Sequence, residues 1–475
     1  MTERGKMVFS STLFIFCFLP LTLLLYLAAY KSRKISIANV ILLLMSMIFY
    51  AWGGLGHFFV LLVVIALNYL LTLAMVRYTT CKKMLFVLIV SIDVVNLLYF
   101  KYFNFFVDNI RTIMSRFGIG VLDDIAAVAL PIGISFYTFQ IISYVADVYM
   151  GKVEVQKNPV KMALYVMMFP QLIAGPIVRY KDVNDEISGR TITAGDIEEG
   201  IKRFIIGFFK KVFIANAMGN MADTVFAMTG NINTGVAWLG AICYSLQIYY
   251  DFSAYSDMAI GIGRMLGFHF NENFDLPYKS QSIQEFWRRW HISLSTWFRD
   301  YVYIPLGGNR RGTARTYFNL AIVFLLTGFW HGAAWQFIVW GIFHGVFSII
   351  ERIGLKNILA KIPRLFRHIY AMLVVIVGWV FFRADNMGHA LNYLRNMFVP
   401  NFSGITYPVA EQFTSIFVIC LIIAIFFSAT RLECLQKIGF WKNVTFVRVR
   451  YLLLWVVSAL YLTGLQYNPF IYFKF

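Results

Sequence analysis

The sequence predicts an all-α polytopic membrane protein, and three observations carry that prediction. Of its 475 residues, 59% are hydrophobic and 14% are charged, whereas soluble domains carry roughly 25% charged residues. Apolar runs long enough to cross a bilayer recur along the whole chain. Lys and Arg gather between those runs, which is the positive-inside pattern. The net charge of +18 therefore reads as membrane topology and argues against a nucleic-acid partner.

After MTERGK, an apolar run extends from Met7 to Tyr30 and closes on Lys31-Ser-Arg-Lys34. It exceeds the roughly 7–15 residues of a signal-peptide core and has no A-x-A site, so it is expected to stay as a first spanning helix. Further spans are expected near 37–52, 57–76, 84–105, 125–148, 160–179, 201–228, 235–266, 317–350, 368–384, 412–429 and 448–465. The basic turns at Lys31–Lys34 and Arg77–Lys83 share the cytoplasmic side if the first helices alternate, which sets the N-terminus outside. Pro131-Ile-Gly133 interrupts one span, and Pro170 with Gly175-Pro176 interrupts another. Such breaks free backbone groups, tolerated at membrane depth only inside protein or along a cavity. No repeat, low-complexity tract or soluble-sized segment appears, so 1–475 reads as a single membrane domain. Cys17, Cys81, Cys243, Cys420 and Cys434 show no CxxC spacing and imply neither a disulfide framework nor a metal site.

The chemistry is expected between Asn271 and His344. There the longest polar passage, NENFDLPYKSQSIQEFWRRWHISLSTWFRDYVYIPLGGNRRG, leads into NLAIVFLLTGFWHGAAWQFIVWGIFHG. Taken as one helix at about 100° per residue, 282–300 gathers Ile283, Phe286, Trp290, Leu294, Trp297 and Phe298 on one side. Arg288, Arg289, Arg299 and Glu285 fall on the other, as in a Trp-anchored interfacial helix. His291 lies between Trp287 and Leu294 on the apolar side, where a core histidine bonded to a backbone carbonyl is the plainer reading. Asn309-Arg310-Arg311 after Gly307-Gly308 fits a phosphate-binding turn or, equally, a membrane-surface anchor.

His331 is sharper, because an ionisable group inside a span is costly and usually functional. A neutral imidazole is the usual general base near neutral pH. Metal binding is not expected: neither H-x-x-x-H nor H-E-x-x-H occurs, and His331 and His344 are too far apart for one helical turn. Asp251 and Asp257, in YYDFSAYSDMAIGIG, are carboxylates in apolar surroundings. They orient a base, bind a cation or pair with arginines, and the structural pairing is the default. No G-x-S-x-G elbow supports a triad from Ser253 or Ser256.

These blocks resemble the membrane-bound O-acyltransferase superfamily, closest to its bacterial alginate O-acetylating branch. The resemblance rests on Met7-Val-Phe-Ser-Ser11, LPIGISFYTFQIISYVADVY at 130–149, FPQLIAGPIVRY at 169–180 and the Asp251–Asp257 block. It continues through EFWRRWHISLSTWFRDYVYIPLGGNRRG at 285–312 and TGFWHGAAW at 327–335. It implies a multi-helix bundle with a transmembrane tunnel and interfacial or re-entrant helices, its catalytic core about 125–350. It implies His331 as the catalytic histidine, with His291 as its accompanying site residue. The implied reaction is acetyl transfer from a cytoplasmic thioester, acetyl-CoA or an acyl carrier, toward an extracytoplasmic polysaccharide. On that reading His331 is the base, and His291 orients the acyl group or meets the developing oxyanion. Gly328 and Gly332 would let substrate approach the backbone. Trp330, Trp287, Arg288, Arg289, Asp251, Asp257 and Asn309 are candidate substrate or tunnel residues.

No permanently bound cofactor is expected. The implied partners are an SGNH-type extracytoplasmic acetyltransferase, a polysaccharide synthase and secretion complex, and membrane lipid, with the chain multi-pass in the bacterial inner membrane. Competing expectations are D-alanyl transfer to teichoic acid, acetylation of cellulose or peptidoglycan, a proton-coupled transporter, and a non-catalytic scaffold.

Overall fold

A computed structural model describes residues 7–119, 125–430, 443–464 and 470–471; Cys434 lies outside them. The described residues form helices and no β-ladder, and those with a free thiol are Cys17, Cys81, Cys243 and Cys420. The chain divides into two compact units. One holds the described residues up to Gly200 together with Ile262–Asn271, and the other holds Ile201–Gly261 and the described residues from Glu272 onward.

The first unit is built from α1 (Leu19–Lys31), α2 (Ile35–Ala51), α3 (Leu55–Arg77), α4 (Lys82–Ser115), α5 (Ile134–Tyr149), α6 (Pro159–Met167), α7 (Phe169–Leu172) and α8 (Tyr180–Ser188). A π-helical turn, Phe14–Phe18, precedes α1. The first span thus starts several residues later than its apolar run, because Phe9 and Phe14 turn inward, stacked at 4.8 Å. Helix α4 runs 34 residues, beyond the expected 84–105. The two interrupted spans are shorter as helices than their apolar runs. Gly133 adopts φ +75°, and a Cβ there would stand 2.6 Å from the Leu172 carbonyl oxygen. Glycine is what lets those two backbones meet. Between α3 and α4, Asn68 Nδ2 donates to buried Asp93 Oδ1 at 2.8 Å.

The second unit contains α10 (Asn216–Phe226), α12 (Ile283–Arg289), α13 (Ile292–Phe298), α14 (Thr313–His331), α15 (Trp335–Ile350), α16 (Lys356–Lys361), α17 (Arg364–Arg383), α18 (Met387–Phe398), α19 (Tyr407–Gln412), α20 (Ser415–Ala429) and α21 (Val444–Thr463). The chain passes between the units within α9 (Ala194–Phe209) and α11 (Thr234–Met265). A π-helical turn, Lys210–Ala215, joins α9 to α10. By length and composition, six helices among the described residues can cross a membrane, with Ile35–Ala51 and Ser415–Ala429 as shorter apolar helices. This is an all-α multi-pass membrane protein.

Two sequence expectations need correction here. Residues 317–350 form a hairpin, α14 then α15, where one long span was expected. Gly332 and Ala334 are extended between them, which ends α14 at His331. A Cβ at Gly328 would lie 2.5 Å from the Phe337 carbonyl oxygen, and one at Gly341 would meet the Phe324 carbonyl. The two helices therefore touch backbone to backbone. The space at Gly328 is filled by Phe337's carbonyl and that at Gly332 by its ring, so neither is open to substrate as expected.

The second correction is the helix over 282–300, which breaks into α12 and α13 around His291. Its predicted inward residues are nonetheless buried: Ile283, Phe286, Trp290, Leu294, Trp297 and Phe298. Phe286, Trp290 and Tyr278 stack within one aromatic core, with Trp379 tilted against Trp290. Helix α12 starts because Ser282 accepts from Glu285 N–H at 3.0 Å, an N-cap. Buried Glu351 accepts from the Ile283 and Gln284 amides at 2.6 and 3.0 Å, an anion where the helix dipole favours one. It stops because the segment Asn273–Asp275 intrudes. Asp275 N–H takes the Arg289 carbonyl at 3.0 Å, and the Asn273 carbonyl takes Ile292 N–H at 3.0 Å. An inserted segment that claims ladder groups is a recognised cause of a helix break.

Candidate active site

His331 is the last residue of α14 and is 4% exposed. Its imidazole is packed edge-on by aromatic rings: Trp330 at 4.9 Å, Trp340 at 4.9 Å and Phe382 at 5.1 Å between centroids. His291 sits between α12 and α13, fully buried, with its ring 5.9 Å from Trp330 and 4.7 Å from Phe252. Trp330 thus touches both imidazoles. The structure brings together three of the sequence-predicted site residues, His331, His291 and Trp330.

His291 has φ +43° and ψ +56°, a left-handed conformation that costs a non-glycine residue energy and is often found at functional sites. Asn273, 1% exposed, holds it there. Its Oδ1 accepts from His291 Nδ1 at 3.0 Å, Ser293 N–H at 3.2 Å and Ser293 Oγ at 2.9 Å. Its Nδ2 donates to Ser256 Oγ at 3.2 Å. The first amides of α13 are capped by this distant asparagine. The plainer reading of His291, a ring bonded to a backbone carbonyl, gives way to a side-chain amide. Burial pushes the His291 imidazole down to about 3, so it is neutral at physiological pH.

The remaining candidates separate from this pair. Trp287 packs toward His344, at 5.2 Å, and Trp340, at 5.6 Å. Arg289 is a clamp: it pairs with Asp275 Oδ2 at 2.9 Å and Glu285 Oε1 at 3.0 Å, fixing the segment that carries Asn273. Arg288 is exposed, as is Asn309 in its glycine turn. No hydrogen bond or ring contact joins either to the histidines among the described residues.

Asp251 and Asp257 are both ion-paired. Lys211 Nζ meets Asp251 Oδ1 at 2.5 Å, both side chains 2% exposed. Asp257 takes Arg203 and Lys210, each at 2.6 Å. Six residues on α11 rotate the carboxylates about 120° apart, and each meets its own lysine of the adjacent pair. Asp251 Oδ2 also accepts Ile471 N–H at 2.7 Å, and Phe470 lies under Lys211 at 4.5 Å.

Sequence reasoning passed over Asn273, and it weighed His344 only as a metal ligand. Asn273 is one of two asparagines in NENFD, and only its tertiary contacts distinguish it from exposed Asn271. His344 is fully buried, 5.2 Å from Trp340, and neither ring nitrogen has a hydrogen-bond partner among the described residues. The described residues contain no group of three His, Cys, Asp or Glu able to hold a metal ion.

Residues 154–387, which contain every residue named here except Phe470 and Ile471 beside the Lys211–Asp251 pair, match the membrane-bound O-acyltransferase family. A probable alginate O-acetylase from Pseudomonas putida is 44% identical over 99% of this chain and its own full length. A peptidoglycan O-acetyltransferase from Helicobacter pylori is 36% identical over 82% of this chain and 80% of its own. A teichoic acid D-alanyltransferase from Bacillus subtilis is 33% identical over 45% of this chain and 57% of its own. With identity above two-fifths along the whole of a relative, and two buried histidines meeting at one tryptophan, the chain belongs to the membrane-bound O-acyltransferase family and is a multi-pass membrane O-acyltransferase.

Proposed function

We propose that the chain moves an acetyl group from a cytoplasmic thioester, acetyl-CoA, toward hydroxyls of an extracytoplasmic polysaccharide of the alginate type. The observation that carries this reading is the 44% identity to a probable alginate O-acetylase over 99% of the chain. The D-alanyltransferase relative covers 45% of it, which favours acetyl over D-alanyl.

His331 and His291 are the catalytic residues. One imidazole takes the hydroxyl proton while the oxygen forms its bond to the acyl carbon, and the other meets the carbonyl. The carbon–sulfur bond then breaks, and the proton passes to the thiolate. Such acid–base help is worth about 10²–10⁴-fold. A transmembrane tunnel would bring donor and acceptor to the pair from opposite faces. The chain would work in the bacterial inner membrane beside an SGNH-type acetyltransferase and a polysaccharide synthase and secretion complex. Ion pairing of Asp251 and Asp257 speaks against the proton-coupled transporter.

The test is the O-acetyl content of secreted polysaccharide in a strain carrying His331→Ala, at wild-type protein level in the membrane. Acetyl esters fall about 100-fold or more while polymer yield holds. Unchanged acetylation would return the transporter and scaffold readings.

A further inference from the structure

Between Asn396 and Thr414 the chain leaves α18, turns irregularly, forms the short α19 and enters α20, carrying one charged residue, Glu411. Six apolar side chains stand out from this stretch: Phe398, Val399, Phe402, Ile405, Tyr407 and Phe413. Phe402 is 83% exposed. A loose loop would fold such rings inward, but this one is pinned to the start of α11. Ile405 bridges Ile232, its N–H on the Asn231 carbonyl and its own carbonyl accepting from Asn233 N–H. Asn233 Nδ2 donates to the Phe402 carbonyl at 2.9 Å, and Thr234 Oγ1 donates to the Val399 carbonyl at 3.1 Å. Asn401 N–H donates to Thr234 Oγ1 at 2.9 Å, and the Asn401 carbonyl accepts from Thr234 N–H at 2.9 Å. Gly404 permits the approach, since a Cβ there would lie 2.6 Å from the Asn233 nitrogen.

The segment therefore keeps its backbone groups turned in and paired, and its apolar side chains turned out. Water favours the reverse, and irregular backbone facing lipid is not tolerated within hydrocarbon. The headgroup layer between them suits both properties, because aromatic rings settle there and a backbone leaving water needs its groups paired. Helix α20 shows which surface the rings continue. Its uncharged face exposes Ile416, Ile419 and Ile422, and Phe413 packs on Phe417 at 5.3 Å. With 15 residues, α20 is about 22 Å long, short of the roughly 30 Å of hydrocarbon. The exposed rings extend its apolar surface past Thr414. Arg352, Lys356, Lys361, Arg364 and Arg367 cluster before and at the start of α17, which marks that end as cytoplasmic and this segment, beyond the other end, as extracytoplasmic.

We propose that residues 398–413 form an interfacial brim seated in the headgroup layer of the membrane, with phospholipid against Phe402. This goes beyond the acyl-transfer reading and does not rest on it. Helix α18 joins the brim to Phe382, whose ring packs on His331 at 5.1 Å, so the same segment sets how that wall of the site stands to the bilayer.

The test is photocrosslinking of the full-length chain in native membranes. p-Benzoylphenylalanine replaces Phe402, an aromatic exchange at an exposed position, and a second protein carries the probe at position 422 as the lipid reference. In cells labelled with ³²P-phosphate, ultraviolet light is expected to attach labelled phospholipid at 402 to an extent comparable with 422, and darkness to attach none. Cross-linking at 402 to another polypeptide, or to a second copy of this chain, overturns the proposal. Label at 422 without label at 402 does the same, since it leaves the ring in water. Phe402→Trp gives an independent reading: the emission it adds is expected to be quenched by dibrominated phosphatidylcholine, and added emission insensitive to bromine counts against the brim.

Discussion

The second unit buries polar groups in two ways. Along α11 and its neighbour, carboxylates meet cations directly: Asp251 with Lys211, Asp257 with Lys210 and Arg203. Around His291, the same burial is served by neutral groups that share hydrogens: Ser256, Asn273, His291 and Ser293. The difference teaches which buried groups are held by charge and which by shared hydrogens. A buried ion pair is fixed because separating it exposes a bare charge. A neutral imidazole can gain and lose a proton within one catalytic cycle without changing partners. The proposed acyl transfer needs groups of the second kind.

The contrast breaks most visibly at Lys211. Lys211→Leu leaves Asp251 buried without its cation and should cost about 3–5 kcal/mol, read as loss of folded protein in membranes and early thermal aggregation. Adding Asp251→Asn, which keeps an acceptor for Ile471 N–H, should recover most of that loss, since paired sites are not additive. If the double variant is as unstable as the single one, the ion pair is not what holds this region.

His344→Phe sharpens the neutral side. Both its ring nitrogens lie buried without hydrogen-bond partners among the described residues, and an unsatisfied polar group carries a penalty of about 1–3 kcal/mol. A ring of similar shape without nitrogens should leave thermal stability unchanged or raise it by about 1 kcal/mol. A clear fall in melting temperature would mean that His344 makes a bond essential to the fold.

The smallest effect concerns a half-buried carboxylate in the first unit. The Thr193 hydroxyl, aided by the Thr193 backbone N–H and Arg264, holds Asp196 at about 2, below the ordinary 3.8. A depressed carboxylate stabilises above its ordinary value, and the contribution disappears as pH falls through the folded one. Melting temperature should therefore be flat near neutrality, with a slight loss confined to about pH 4 to 2. Thr193→Ala should flatten that acid limb. A change near neutral pH would contradict the assignment.

Much of this was legible in the sequence, for identifiable reasons. Apolar length reports spans, so Leu55–Arg77 and Arg364–Arg383 lie close to their expected places. Periodicity reported the inward face of 283–298 even though the helix is interrupted, because α12 and α13 bury the same side. What periodicity cannot report is an intrusion from elsewhere in the chain. The break at His291 is made by Asn273, 18 residues earlier, and nothing local announces it. The lysines that answer Asp251 and Asp257 lie some 40 residues away, so arginine was the partner expected where lysine mainly serves. Gly332 was a visible signal for the hairpin turn, hidden by the apolar residues on both sides.

The bond from Ile471 N–H to Asp251 Oδ2 has a consequence in time. Asp251 and Lys211 emerge from the ribosome early, and the amide that completes their surroundings is made 220 residues later. Until Ile471 is in place, Asp251 has its lysine but not the amide that its second oxygen accepts from in the fold. The local structure around this pair is therefore finished from a part of the chain 220 residues away.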